Sequence, residues 1–284
     1  MRAELESAYG RRKLVAHAAT AACSLAVVLA SVPLLAVLLY IAKRGLGALS
    51  LSFFTQLPMP VGEHGGGMAN AIVGTIELVG LASLMGIPIG IAAGLFLAEY
   101  RTTTLARVVR FSADVLAGVP SILVGVVVYA VVVVRMQHFS TFAGAAALAV
   151  LMLPLVARTT DELARTVPES LREAALALGA SRWRIAIHVV LRTAAPGIRA
   201  GCMLAVARVS GETAPLLFTA FNNRFWNESF SDPTSSLQVQ IFTYTMSPYD
   251  DWHAQAWAAA LVLVGLVVVL NLAARRLLRG PKPA

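Results

Sequence analysis

Long apolar stretches with few or no charges, each long enough to cross a bilayer, alternate with polar connectors along this chain. A helix crossing a ~30 Å hydrocarbon core needs about 20 mostly apolar residues. Six stretches meet that length, at 14–42, 71–98, 111–134, 139–157, 196–221 and 254–273. The pattern predicts an all-α integral membrane protein, with six transmembrane helices forming one transmembrane domain over 1–284. The first stretch follows Arg11, Arg12 and Lys13, as a signal peptide would. Its apolar run is far longer than the roughly 7–15 residues of a signal, so it reads as a retained span.

Composition agrees, since 58% of residues are hydrophobic and only 13% charged, against about a quarter charged in soluble domains. The net charge of +8 does not point to nucleic acid, because the basic residues sit in short clusters beside the apolar runs. Seventeen of the 23 Lys and Arg fall on one side of the expected topology, in the N-terminus, the 99–110 loop, the 158–195 loop and the C-terminus. Four fall on the other side, and Arg199 and Arg208 lie inside the fifth span. The positive-inside rule then places both termini in the cytoplasm, in a multi-pass protein of the inner (cytoplasmic) membrane surrounded by lipid.

Cys23 and Cys202 both lie in apolar runs and are expected to be buried packing residues. Tyr244, Tyr249, Trp252 and Trp257 beside the sixth span read as an interfacial belt. Chemistry of an enzyme is missing from the sequence. There is no G-x-x-x-x-G-K-[ST] loop, no H-E-x-x-H and no G-x-S-x-G. Gly65-Gly66-Gly67 reads as a tight outward turn, and the five histidines are scattered. No cofactor, metal or catalytic site is expected on this chain.

The informative connector is the loop at 158–195. Within it, Ser170 and Glu173 form S-x-x-E, a capping box that starts a helix. Leu171, Ala174, Ala175 and Leu178 recur at helical spacing, and Gly179 suits a left-handed stop. A helix this short is not stable alone. It packs either on its own spans or into a groove of another protein.

Glu173-Ala174-Ala175, Gly179, Val189 and Leu191 together resemble the EAA loop of the type I ABC-importer permease family. The sequence departs from that pattern with Val189 for the usual Ile and Arg192 for the usual Pro. Ala207 through Ala220 (ARVSGETAPLLFTA), Arg158-Thr159-Thr160, Pro120-Ser121-Ile122 and Met246-Ser247-Pro248 resemble the PstA-type permeases of phosphate importers. The resemblance implies the type I permease fold and a docking helix carrying Ser170, Glu173, Ala174, Ala175 and Gly179. It also implies a second homologous permease subunit, two copies of an ABC ATPase that holds ATP and Mg, and an extracytoplasmic phosphate-binding protein. Inorganic phosphate is the cargo so implied, and the family implicates arginines matching Arg208 and Arg158.

Charges at membrane depth give an independent reading. Counted from Pro196, Arg208 lies ~18 Å and Glu212 ~24 Å along the fifth span. As i and i+4 they share one face, and Pro215 removes a backbone donor just beyond them. Such groups face a bundle interior or a pathway, and a guanidinium fork suits an oxyanion. A structural Arg–Glu lock is the alternative. Glu77 is a further pathway candidate, Asp114 reads as a helix-start cap, and Arg199 as a snorkelling residue. Two rivals stay open: the same architecture carrying sulfate or molybdate, and a secondary carrier or channel using Arg208, Glu212 and Glu77. The docking helix argues against the carrier.

Overall fold

The structure, a computed structural model, describes residues 2–60, 62–63 and 65–277. His64, one of the five histidines, and Arg279 and Lys282 of the basic C-terminus lie outside the described residues. Among the described residues the chain is helical throughout, with no strand. In order these are α1 (Arg2–Leu46), α2 (Leu51–Thr55), α3 (Ala69–Glu99), α4 (Thr104–Gly118) and α5 (Ser121–Val128). A π-helical turn (Tyr129–Val133) leads into α6 (Val134–Met136), followed by α7 (Thr141–Arg165), α8 (Glu169–Ala177) and α9 (Arg182–Arg184). A second π turn (Ile185–Val190) continues into α10 (Leu191–Val209), then α11 (Ala214–Thr219), α12 (Leu237–Thr245) and α13 (Asp250–Leu277). Among the described residues, five helices are long and apolar enough to cross a membrane, and a bent pair makes a sixth crossing if counted as one span.

The parallel pair α3 and α7 forms the centre. Lipid tails are as apolar as leucine, so helices in a membrane associate through close packing rather than the hydrophobic effect. Gly86, Gly90 and Gly94 on α3 provide that approach, seating on Ala149, Val156 and Thr160 of α7. Leu78, Leu148, Met152, Val156, Val209 and Leu216 fill the core around the pair. Against α13 lies α1, with Tyr40 set edge-on to Trp257 at 5.1 Å. Most of α1 is otherwise exposed, Cys23 included, which corrects the expectation that Cys23 is buried.

Several expectations change in the structure. The stretch 111–134 is not one rod: α4 and the Ser121–Met136 helix meet at 108°, at Val119-Pro120, where proline disfavours helix in the residue before it. Thr103 caps α4, accepting from the Ala106 N–H at 3.2 Å, so Asp114 is no helix-start cap and lies near the end of α4. The fifth crossing is a rod over Arg182–Val209 that then breaks, rather than a span over 196–221. Glu212 therefore lies beyond the helix end. The Ser210 carbonyl at this break accepts from Nε2 of buried Gln238 on α12. Tyr244 is a core residue stacked on Trp252 at 4.3 Å, not part of an interfacial belt. Gly65 and Gly66 take φ of 99° and 78°, but no turn forms over 65–67.

Pro168, not Ser170, is the N-cap of α8, and no side-chain cap closes it. The capping box is thus not formed; Glu169 supplies the acidic first turn instead. The stop is as expected. Gly179 takes φ 76°, its N–H donates to Leu176 O at 2.9 Å, and the Ala180 N–H donates to Ala175 O at 3.1 Å. This is the Schellman arrangement.

Candidate functional site

Both helix breaks open onto one cavity. Its volume is about 400 Å³, and its walls include Pro120 at the α4–α5 break, Pro154 and Arg158 on α7, and Arg208 and Glu212 at the end of α10. Arg208 sits in the last turn of α10, where a cation meets the negative end of the helix dipole. Glu212 follows in the unwound stretch before α11, with Pro215 at the start of that helix. The first turn of α5, beginning at Ser121 on the cavity wall, has no side-chain cap, so its backbone N–H groups add positive potential there.

The two arginines are held differently. Arg158 donates from Nε to Glu162 Oε1 at 3.0 Å and lies 4.0 Å from Asp114 Oδ1. Arg208 Nε is 4.0 Å from Glu212 Oε1, an ion pair too long for a hydrogen bond. The Arg208 side chain is 57% exposed and that of Glu212 only 21%. A structural lock needs a tight, shielded pair. This one is loose, with the acid tucked in and the guanidinium open to the cavity.

The structure brings Arg158, Arg208 and Glu212 together. Glu77 is elsewhere: on α3 it accepts from Asn227 Nδ2 at 3.1 Å, and it lines a small recess with Asn70, Gly74 and Phe225. The same Nδ2 lies 2.9 Å from Thr141 Oγ1 and also against Thr234 Oγ1, so its two hydrogens are shared among three acceptors, pinning the 222–236 loop to α3 and α7. Arg199 donates from Nε to Ala195 O at 3.1 Å and stands apart from the cavity. Sequence reasoning missed Asp114 and Glu162 as partners of Arg158. The i,i+4 spacing of Arg158 and Glu162 is a signal for the second; nothing local reveals the first.

A second region of interest is α8. Glu173 and Ala174 are exposed, as are Leu171 and Leu178, the last at 88%. Ala175 is half-buried against Val190 and its neighbours, and Ser170 is exposed. The helix leaves leucines facing outward at the end of the bundle where α3 and α7 terminate.

A helical membrane bundle with a charged cavity at paired helix breaks is the architecture of a transport component. Residues 86–282 match the family described as binding-protein-dependent transport system inner membrane component, and the chain belongs to that family. Among curated relatives, the phosphate transport system permease protein PstA of Yersinia pestis is 47% identical over 82% of this chain and 79% of its own length. The PstA of Haemophilus influenzae is 45% identical over 84% of this chain and 85% of its own. PstA 1 of Mycobacterium tuberculosis H37Rv is 36% identical over 93% and 87%. Within the family, the chain is of the PstA type.

Solved structures agree on the fold. An inward-facing form of the MetNI methionine ABC transporter matches with a TM-score of 0.62 at 22% identity, over 75% of this chain and 96% of that one. A bacterial ABC transporter importing alginate matches at 0.57 and 15% identity, over 74% and 78%. The fold is the ABC-importer permease fold expected from the EAA-like loop.

Proposed function

We propose that this chain is the permease subunit of an ATP-driven phosphate importer in the inner membrane, and that phosphate passes through the cavity of Arg158, Arg208 and Glu212. The observation that carries the site is the convergence of two helix breaks and two arginines on one 400 Å³ space. Broken backbone at membrane depth is tolerated where it is buried in protein or lines a water-filled cavity. A phosphate anion gains charge-assisted hydrogen bonds from the open Arg208 fork and from Arg158. Glu212 keeps Arg208 oriented and its negative charge weakens anion binding enough for release, as conduction requires.

The distribution of basic residues supports reading α8 as lying on the cytoplasmic side. There its exposed Leu171, Glu173, Ala174 and Leu178 meet a separate ATPase, which holds ATP and Mg and performs the hydrolysis. The open side of the cavity faces a second homologous permease, two ATPase copies complete the engine, and an extracytoplasmic binding protein delivers phosphate. Glu77, away from the cavity and pinned by Asn227, serves the outward end of the path.

The test is phosphate uptake by the Arg208→Gln, Glu212→Gln double variant, normalised to assembled complex. A lock that is only structural is relieved when both charges go, so assembly and uptake recover relative to either single variant. A pathway arginine leaves the double variant assembled yet inactive. Uptake near the unaltered level would overturn the assignment of Arg208.

A further inference from the structure

Outside the cavity, Arg172 on α8 is a buried charge. Its side chain is only 8% exposed. From Nη1 it donates to Glu99 Oε1, in the last turn of α3, and from Nη2 to the Ala164 carbonyl at 2.9 Å, one residue before the end of α7. Glu169 Oε2 stands 3.8 Å from Nε. One guanidinium thus bridges the C-terminal ends of two parallel helices. Both ends carry partial negative charge from their unpaired carbonyls, so a cation there is favoured twice over. The planar fork makes the bridge directional in a way an ammonium cannot match.

We propose that Arg172 is the joint through which α8 moves the bundle. It is a positioning residue that converts displacement of α8 into displacement of α3 and α7 together. This rests on reading α8 as the ATPase-docking helix. The two faces of α8 divide the labour: Leu171, Glu173, Ala174 and Leu178 face outward, while Arg172 points inward. Ala175 packs into an apolar cluster with Ile185 and Val190 on the π turn of the fifth crossing, a cluster that also holds Ala98 of α3 and Ala164 of α7, but among the described residues the hydrogen bonds from α8 to α3 and α7 are those of Arg172. Beyond the joint the path is stiff. The glycine-seated α3–α7 pair moves as one, and Arg158 lies six residues back along α7 from Ala164, about 9 Å of helix. Arg110 of α4 and Arg165 of α7 both engage Asp161 between these two positions, at 3.4 Å and 2.6 Å, so α4 is drawn along. Displacement of α8 therefore reaches the wall of the cavity that holds Arg158.

The experiment reconstitutes the complete importer in vesicles and measures phosphate moved per ATP hydrolysed, with ATPase retention on the purified complex as a separate readout. Arg172→Gln and Glu99→Gln are each expected to retain the ATPase while the ratio falls roughly two- to thirtyfold, the range over which single residues modulate coupling. The double variant is expected to be no worse than the poorer single, because both changes open the same joint. An unchanged ratio in either single variant, or a double loss equal to the product of the singles, overturns the proposal. If Arg172→Gln fails to assemble, Arg172→Lys decides: it keeps a charge beside Glu99 but cannot fork to Ala164. A reduced ratio in Arg172→Lys supports the joint, and an unaltered one overturns it. Docking fails separately: Glu173→Arg on the outward face with full ATPase retention would sink that reading whatever Arg172 does.

Discussion

Substituting two glycines of the same helix by alanine should move stability in opposite directions. At Gly94 a Cβ would fall 2.5 Å from the Ala157 carbonyl oxygen and closer still to the Thr160 side chain. That is about 1 Å inside the separation at which attraction between non-bonded atoms is best. The obstacle is helix backbone and a β-branched residue with little rotamer freedom, so α7 must back away. Overpacking of this kind costs about 1–3 kcal/mol. At Gly80 a Cβ meets nothing within 4 Å, and alanine there gains about 0.5–1 kcal/mol from reduced backbone freedom in the unfolded chain. The predicted gap between the two variants is therefore about 1.5–4 kcal/mol. Thermal unfolding of the purified complex in nanodiscs, both variants beside the parent, measures it. Gly94→Ala unfolding at or above the temperature of Gly80→Ala would refute close packing of α3 on α7 as the organising contact.

Three further outcomes follow from other parts of the molecule. Gly179→Val places a β-branched residue at φ 76° with no neighbour within 4 Å, so the penalty is purely conformational and exceeds the roughly 1–2 kcal/mol of an ordinary left-handed residue; the chain should insert normally while phosphate uptake fails, and normal uptake would undo the role given to the α8 stop. In a chain with Cys23 and Cys202 replaced by Ala, Glu63→Cys should react with an impermeant thiol reagent from outside intact cells and Ser181→Cys should not; the reverse labelling would invert the topology. Asn227→Leu strips a donor from Glu77, Thr141 and Thr234 and should destabilise the 222–236 loop by about 1–3 kcal/mol, read as faster protease cleavage there; an unchanged cleavage rate would show that the loop is held by other means.

The crossings were legible because bilayer thickness imposes a length and because lipid forbids charge. The breaks within them were not. Val119-Pro120 sits in an apolar run with no change of polarity to mark a bend, and Pro33, Pro88, Pro154 and Pro196 lie inside helices that continue past them. Proline alone therefore does not tell a kink from a stop. The start of α8 carried two overlapping signals, Pro168 and the Ser170–Glu173 pair, and the ring's fixed φ prevailed over the hydroxyl. Gly179 was readable because a left-handed stop leaves one residue type strongly preferred. Arg208 and Glu212 were legible as a pair from spacing, whereas Arg158 entered only by resemblance and its neighbour Asp114 is brought to it by the fold. Arg172 is the clearest omission: an arginine in a short amphipathic helix looks like a solvated one, and its partner Glu99 lies 73 residues away.

The sharp bend between α4 and α5 has a consequence for how the protein is made. Residues 104–136 leave the ribosome before α7, whose Pro154 and Arg158 wall the bend, and well before Arg208 and α11, which close the far side. Gly125 on α5 is so close to Pro215 that a Cβ would lie 2.6 Å from its Cα, yet Pro215 is synthesised 90 residues later. During that interval the face of α5 at Gly125 lacks the Pro215 backbone it packs against, so the third segment to emerge completes its packing only when α11 arrives. Chain order thus closes the cavity wall only when Arg208 and Glu212 have been added, with α12 and α13 still to come, and a nascent chain stalled before residue 208 carries its first four crossings without that wall.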